Sequence, residues 1–241
     1  MADADRLLVL IPARNEAPRI EAVLAGVRRV LPDATLVVVD DASEDGTVHR
    51  AASAGALVLE HLFHLGYGTA LQTGYKYALR RGFTLVAQLD ADGQHDPDDL
   101  PGLIAPVREG RADVVLGSRY LERGSGYRGP WIRRLGSFLF ARLASVLTRQ
   151  RITDPTSGLR ALSGPALAAC CSDFFPTDYP DADTLVHLRR AGLRLVEVRA
   201  RMRPSEGKAG MHRGLSPVYY VYKMLLSTLV VVLRGRARKE D

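Results

Sequence analysis

At 241 residues the chain is long enough for one large domain, and 46% apolar residues rule out disorder for most of it. The only cysteines are the adjacent Cys170 and Cys171, which cannot staple distant segments, so a disulfide framework is excluded and a reducing, cytoplasmic setting is expected. The net charge of +6 conceals an asymmetry: residues 1–118 carry 11 Lys and Arg against 17 Asp and Glu, while residues 119–241 carry 22 against 10. A basic half of that strength suits a phosphate-rich partner: nucleic acid, an anionic membrane surface or a pyrophosphate-bearing substrate.

The first residues, MADADRLLVLIPARNEA, lack the basic start and long apolar core of a signal peptide. Unbroken apolar runs of strand length follow: RLLVLIPA, TLVVVDD, LVLEH, FTLVAQLD and DVVLGS, as expected of strands buried on both faces. Between the first two, Ile20, Val23, Leu24, Val27 and Val30 recur at helical spacing, and TALQTGYKYALRR reads as another helix. Ser43 is the expected N-cap of a helix entered at Gly46 and Thr47. A further helix is expected to begin at Pro97. Strand–helix alternation of this kind predicts an α/β fold with a mainly parallel, doubly wound sheet.

After Tyr120 the pattern changes. LERGSGYRGP reads as a Gly-rich loop, WIRRLGSFLFARLASVLTRQ as a helix, ITDPTSGLRALSG as a turn and short strand, and YPDADTLVHLRRAG as a helix. LRLVEVRARMRP reads as a strand, SEGKAGMHRGLS as a loop, and VYYVYKMLLSTLVVVL, residues 218–233, as an apolar helix interrupted by Lys223. No stretch reaches the roughly 20 apolar residues needed to span a bilayer. The helix with its Tyr residues and the basic tail behind it suits peripheral contact with the inner face of a membrane. Residues 1–205 are thus expected to form the main domain, divided into an acidic half at 1–118 and a basic half at 119–205. Residues 206–241 form a loop, helix and tail.

In open α/β sheets, ligands sit beyond the carboxyl ends of the strands. Four such ends turn polar here: Pro12, Arg14, Asn15 and Glu16 after the first strand, Asp40 and Asp41 after the second, Asp90 and Asp92 after the fourth, and Gly117, Ser118 and Arg119 after the fifth. The fourth is the most unusual, since QLDADGQHDPDD crowds Asp90, Asp92, Asp96, Asp98 and Asp99 behind a buried run. Such carboxylates repel one another unless cations, donors or water compensate them. On an extended strand end, residues i and i+2 face the same side, so Asp90 and Asp92 can address one ion, with the amide oxygen of Gln94 two residues on. A hard cation such as Mg²⁺ or Mn²⁺ takes one or two carboxylates and completes its shell with water and phosphate oxygens. A calcium loop fits poorly, because His95 stands where its Gly belongs and Pro101 where its Glu belongs. No dinucleotide fingerprint or P-loop is present, PARNEA standing where the former belongs. His61 and His64 read as surface histidines, and Tyr67 and Tyr75 as packing residues. His95 reads equally as a turn cap or a residue facing the donor.

In that order, LIPARNEA, VVVDDASEDGT, GYGTALQTGY, LDADGQHDP, VLGSRY and DPTSGLRA resemble the family 2 glycosyltransferases of GT-A fold, and most nearly the dolichyl- or polyprenyl-phosphate mannose synthase branch. The resemblance covers roughly residues 6–205 and would make 1–118 the nucleotide and metal half and 119–205 the acceptor half. It implies a Rossmann-like, mainly parallel sheet flanked by helices, here with an added C-terminal amphipathic helix. It also implies a nucleotide-sugar donor, Mg²⁺ or Mn²⁺, and inverting transfer of a hexosyl or N-acetylhexosaminyl group. Carried over by motif, Pro12, Arg14, Asn15 and Glu16 would border the nucleoside, and Asp41 would bond its base or ribose. Asp90, Asp92 and Gln94 would hold the metal against the diphosphate, with Ala91 on the donor side. Arg119 would face the diphosphate, and Arg133 and Ser137 would bind an acceptor phosphate, joined from the basic half by Arg203 and Lys208.

The expected acceptor is a polyprenyl phosphate, whose ionised oxygen needs no general base. A hydroxyl of a glycan or small metabolite is the alternative and would need a carboxylate base, Asp183 or Asp154. Nucleic acid is not an expected partner, since no nucleic-acid motif is present. A module that binds donor and metal without turnover is poorly motivated. Where relatives carry an arginine- and glycine-rich loop with serines, this chain reads MRPSEGKAGMH.

Overall fold

A computed structural model describes residues 6–121, 131–173, 175, 176, 180–203 and 226, with the backbone alone for 131–137 and 139. Apart from Leu226, the expected helix at 218–233 lies outside the described residues, as do the Gly-rich loop beyond Leu121 and Lys208. Among the described residues no helix is long and apolar enough to cross a membrane.

The strands are β1 (Leu7–Ala13), β2 (Thr35–Asp40), β3 (Leu57–Glu60), β4 (Leu85–Gln88), β5 (Val114–Ser118), β6 (Arg160–Ser163) and β7 (Leu195–Arg199). The helices are α1 (Ile20–Val30), α2 (Thr47–Ser53), α3 (Tyr67–Arg80), α4 (Leu100–Arg108), α5 (Trp131–Thr148), α6 (Gly164–Cys170) and α7 (Ala182–Arg190), with a 3-10 turn at Pro97–Asp99 before α4. The strands form one sheet in the order β3-β2-β1-β4-β6-β5-β7. β6 runs antiparallel to both its neighbours, and the other pairings are parallel.

Two reversals through β6 leave β5 pointing the same way as β4. The carboxyl ends of β1, β2, β4 and β5 therefore share one edge, as expected. The amino end of β6 arrives at that same edge, so the turn DPTSG before it becomes part of the site.

Alternating side chains of the strands divide the core. Leu8, Leu10, Val37 and Val39 pack with residues of α3, α5, α6 and α7 on one face. Leu7, Val9, Ile11, Leu36 and Val38 pack with residues of α1, α2 and α4 on the other. This is the continuous apolar pattern that strands covered on both faces require. β3 departs from it: as an edge strand it leaves Leu57 and Glu60 exposed.

Two local readings are corrected. Ser43 does not cap α2; Gly46 occupies the N-cap, Asp45 Oδ1 accepts from the Thr47 N–H, and Ser43 instead bonds Asp40. Helix α6 was not expected from the sequence, although its signal is there: Ser163 accepts from the Ala166 N–H, and Pro165 sits in the first turn.

Helix α3 lies close against the sheet because Gly74 has no side chain where it faces Leu10. A Cβ there would drive into the Leu10 methyls, which are fully buried and have nowhere to go. Gly74→Ala is expected to destabilise the fold by about 1–3 kcal/mol, as overpacking does, read as a lowered midpoint in urea unfolding at unchanged m-value.

Candidate active site

The loops after β1 and β2 are stitched to each other. Asn15 sits in the left-handed region at φ 54, a conformation asparagine tolerates better than most residues. Its N–H donates to Ser43 Oγ (2.9 Å) and its side-chain oxygen accepts from the Glu44 N–H (2.8 Å). The Glu16 N–H donates to Thr47 Oγ1 (2.8 Å), and the Glu16 carboxylate pairs with Arg19 at 3.0 Å. Pro12 is buried within β1, and Arg14 is exposed at its end.

Asp41 is more heavily engaged than the sequence suggested. Its buried carboxylate accepts from the N–H groups of Leu65 (2.8 Å) and Gly66 (2.9 Å) and bonds Nδ1 of His61 (2.9 Å) and of His64 (2.6 Å). Burial alone would raise its pKa, but these donors bring it below the usual aspartate value. His61 is itself buried and bridges on to Thr73 Oγ1 at 2.9 Å, so it is an interior anchor rather than a surface residue. Asp41, expected to reach the donor's base or ribose, thus holds the loop between β3 and α3 with both its oxygens.

Beyond β4, Asp90 keeps 27% of its side chain exposed and is held at both oxygens. The Tyr67 hydroxyl donates to Oδ1 at 2.8 Å, and His95 Nε2 bonds Oδ2 at 3.1 Å. Burial would raise its pKa, but His95, Tyr67 and the charge of Arg160 lower it. Asp92 is raised, first by burial and then by the charge of Asp90, with Glu16 adding to the effect. Its Oδ1 accepts from the Gln94 N–H at 2.9 Å. Gly158 makes room for Asp90, since a Cβ at that position would collide with the carboxylate. Among the described residues no three His, Cys, Asp or Glu side chains gather as a metal cage.

The remaining acids of that stretch are neutralised within the chain. Asp99 takes the Arg201 N–H at 2.6 Å and its guanidinium at 2.9 Å, Asp96 pairs with Arg203 at 3.4 Å, and Asp98 pairs with Arg29 at 2.6 Å. The segment after β7 runs alongside: the Arg203 N–H donates to the Gln94 carbonyl at 2.8 Å, and His95 bridges Met202. Arg203, expected at an acceptor phosphate, is here a partner of Asp96, with its side chain 62% exposed.

At the end of β5, Arg119 meets Asp154 in a two-pronged pair, Nε to Oδ2 and Nη2 to Oδ1, both at 2.6 Å. The Arg119 N–H joins the same carboxylate at 3.0 Å, and Thr156 Oγ1 accepts from Nη2 at 2.9 Å. Glu197 of β7 in turn accepts the N–H groups of Thr153 and Asp154 at 2.9 Å. Asp154 is wholly buried, so it is the counter-ion that aims Arg119 and is not placed as a base.

Helix α7 opens with two acids of different exposure. Asp183 is wholly buried, its Oδ1 accepting the Thr184 N–H at 2.7 Å, while Asp181 keeps 15% of its side chain exposed and lies 3.7 Å from Arg160. Arg133 and Ser137 lie in the first turns of α5, and their side chains are outside the described residues.

The edge therefore brings together the expected Asn15, Glu16, Asp41, Asp90, Ala91, Asp92 and Arg119. In the sequence Tyr67 and Tyr75 read as packing residues and Gln88 is passed over, so the linkage that reaches Asp90 through their hydroxyls is missed. Tyr75 donates to Gln88 Oε1, and Gln88 Nε2 donates to the Tyr67 hydroxyl at 3.1 Å. The signal was Gln88 itself, an amide inside an apolar strand that must find partners when buried.

Comparison with known proteins identifies the family. The model of "Glycosyl transferase family 2" matches residues 8–169. The undecaprenyl-phosphate mannosyltransferase of Micrococcus luteus is 33% identical over 200 residues, covering 80% of this chain and 82% of that protein. The polyprenol monophosphomannose synthase of Mycolicibacterium smegmatis is 36% identical over 165 residues, covering 65% of this chain and 61% of that one. Among solved structures, the glucosyl-3-phosphoglycerate synthase of Mycobacterium tuberculosis, in complex with Mn²⁺ and UDP-glucose, superposes with a TM-score of 0.69 at 24% identity, covering 94% of this chain and 78% of that one. That likeness shows the GT-A-like fold. With the family model spanning most of the sheet and a relative matched over four-fifths of both chains, this protein belongs to glycosyl transferase family 2.

Proposed function

We propose that this glycosyltransferase moves a sugar, with inversion, from a UDP- or GDP-sugar to a polyprenyl phosphate at a membrane surface. One structural observation carries the choice of acceptor: the two carboxylates expected as a general base are both wholly buried, Asp154 against Arg119 and Asp183 within α7. A phosphate acceptor is ionised near neutral pH and needs neither. The names of the Micrococcus and Mycolicibacterium relatives support the same class of acceptor.

A divalent cation fits the residues present. Asp90 and Asp92 lie close enough for the charge of one to raise the pKa of the other, with Glu16 adding to it, and a cation relieves that repulsion. Asp90 and Asp92 would hold Mg²⁺ or Mn²⁺ with Gln94, leaving the rest of its shell to water and the donor diphosphate, as such ions favour. When bound, the ion supplies charge stabilisation to the departing nucleoside diphosphate. The mycobacterial synthase of the same fold was crystallised with Mn²⁺ and UDP-glucose.

The chain's own residues perform the rest. The loops holding Asn15 and Glu16 border the nucleoside, and Asp41 fixes the loop that walls its other side. An acceptor phosphate oxygen attacks the anomeric carbon as the bond to the donor diphosphate breaks, its electron pair passing to the leaving oxygen. Arg119 is held ready to receive that charge, because Asp154 and Thr156 fix the guanidinium before substrate arrives. Arg133, Ser137 and Lys208 would hold the acceptor phosphate, and the apolar segment 218–233, expected from its sequence to be helical, would meet the membrane.

One observation favours a second reading, transfer to a hydroxyl: Asp181 keeps exposed carboxylate surface at the start of α7. The base would then be Asp181 rather than the buried Asp183.

Incubation with UDP- and GDP-sugars, Mn²⁺ or Mg²⁺ and polyprenyl phosphate is expected to yield a glycolipid detectable by mass spectrometry of the organic phase. Chelation by EDTA and the substitution Asp92→Ala are each expected to abolish it. Donor turnover without glycolipid, lost on Asp181→Asn, would transfer the reading to a hydroxyl acceptor. Arg119→Ala is expected to lower kcat by about 10²–10³-fold, as loss of a preorganised donor does. Asp154→Ala is expected to destabilise the fold by about 3–5 kcal/mol, because it removes the counter-carboxylate of a largely buried arginine, measured by urea denaturation.

A further inference from the structure

A one-way chain of donors ends on Asp90. The Tyr75 hydroxyl donates to Gln88 Oε1, Gln88 Nε2 donates to the Tyr67 hydroxyl at 3.1 Å, and Tyr67 donates to Asp90 Oδ1 at 2.8 Å. A phenol is protonated at neutral pH, so both hydroxyls can donate. Each hydroxyl that accepts one bond becomes a better donor of the next, so the chain is stronger than its links taken singly. It lies in the interior: Tyr75 and Gln88 are almost wholly buried.

The starting point of that chain on α3 is also fixed. Gly66 takes φ 99, in the region that favours glycine, and its N–H and that of Leu65 are received by Asp41. Tyr67 is the next residue and the first of α3. The aspartate at the end of β2 thus sets where the helix begins, and the helix sets where the Tyr67 hydroxyl meets the aspartate at the end of β4.

We infer that Tyr67 is a positioning residue for metal and donor binding: with His95 on the opposite oxygen, it fixes the plane of the Asp90 carboxylate. Each carboxylate oxygen has two lone pairs. Tyr67 takes one on Oδ1 and His95 one on Oδ2, which leaves one on each oxygen with a set direction. A ligand held this way loses little freedom on binding a cation, and outer partners of metal ligands commonly tune affinity for that reason. The inference rests on the reading of Asp90 and Asp92 as metal ligands.

The test is Mn²⁺ binding in the presence of UDP or GDP, followed through the EPR signal of free Mn²⁺, on the full chain and its variants. The native chain is expected to bind and Asp92→Ala to fail. Tyr67→Phe, which keeps the ring and removes only the hydroxyl, is expected to bind about 10-fold more weakly. A merely structural role would lower the unfolding temperature of Tyr67→Phe and leave its Mn²⁺ affinity native, and that result overturns the inference. Should Tyr67→Phe fail to fold, Tyr75→Phe at the far end of the chain decides: a loss on the order of 3-fold supports the inference, and unchanged affinity overturns it. Absence of Mn²⁺ binding by the native chain overturns the metal reading, and this one with it.

Discussion

The Asp90 carboxylate, pressed into the end of β4 beside Asp92, is the constraint around which the site is built. A partly desolvated charge with a like charge two residues away is costly unless donors surround it. The chain supplies Tyr67 from α3 and His95 from the following turn, with the positive charge of Arg160 nearby. Each of those has its own requirement. Tyr67 needs α3 close to the sheet, hence Gly74 over Leu10; the turn before β6 must pass within contact of the carboxylate, hence Gly158. His95 is locked into the bridge with Met202, which ties the segment after β7 to the same loop. Elements far apart in sequence are therefore placed by one side chain.

The charge asymmetry of the sequence takes on a different meaning once the pairs are known. Arg201 and Arg203 of the basic half lie against Asp99 and Asp96 of the acidic half. Arg119 is matched by Asp154, and Arg160 is spent on the carbonyls of Pro155, Ser157 and Pro180. Part of the basic excess is thus met by the acidic half of the same chain. Exposed pairs such as Arg203 with Asp96 contribute little to stability, but they discharge three of the five aspartates in QLDADGQHDPDD. What remains facing the edge is Asp90 and Asp92, a more selective arrangement than the run of acids suggests.

The sheet, its direction and its polar edge were legible because buried parallel strands write themselves as apolar runs with abrupt polar ends. The partners of those polar ends were less legible, for a physical reason. Asp41 and Asp40 are adjacent and chemically identical, yet Asp40 caps its own turn through Ser43 while Asp41 binds residues more than twenty positions away. Nothing local distinguishes them. Tyr67 and Tyr75, spaced eight apart on an amphipathic helix, carry the pattern of packing residues, and their rings do pack; only the hydroxyls reveal the second role. His61 looked like a loop histidine because its partner, Asp41, lies twenty residues earlier, just past the end of β2. Asp154 was ambiguous between turn and base until Arg119 was seen across from it.

The antiparallel insertion of β6 explains why one short motif serves two sides of the site. If β6 ran parallel to its neighbours, its amino end and the turn DPTSG would lie at the opposite edge of the sheet. Reversed, it delivers that turn between the ends of β4 and β5, where Asp154 faces Arg119 on one side and Gly158 faces Asp90 on the other. Glu197 of β7 fixes the turn from beyond β5 by taking its backbone N–H groups, so the turn cannot shift toward one partner without losing the other. The turn from Asp154 to Gly158 therefore lies between the Arg119 guanidinium and the Asp90 carboxylate, so their separation depends on that turn as well as on the strands. The turn meets Arg119 through Asp154 and Thr156 and Asp90 through Gly158, which is why the order of residues in DPTSGLR carries more about the site than any one of them.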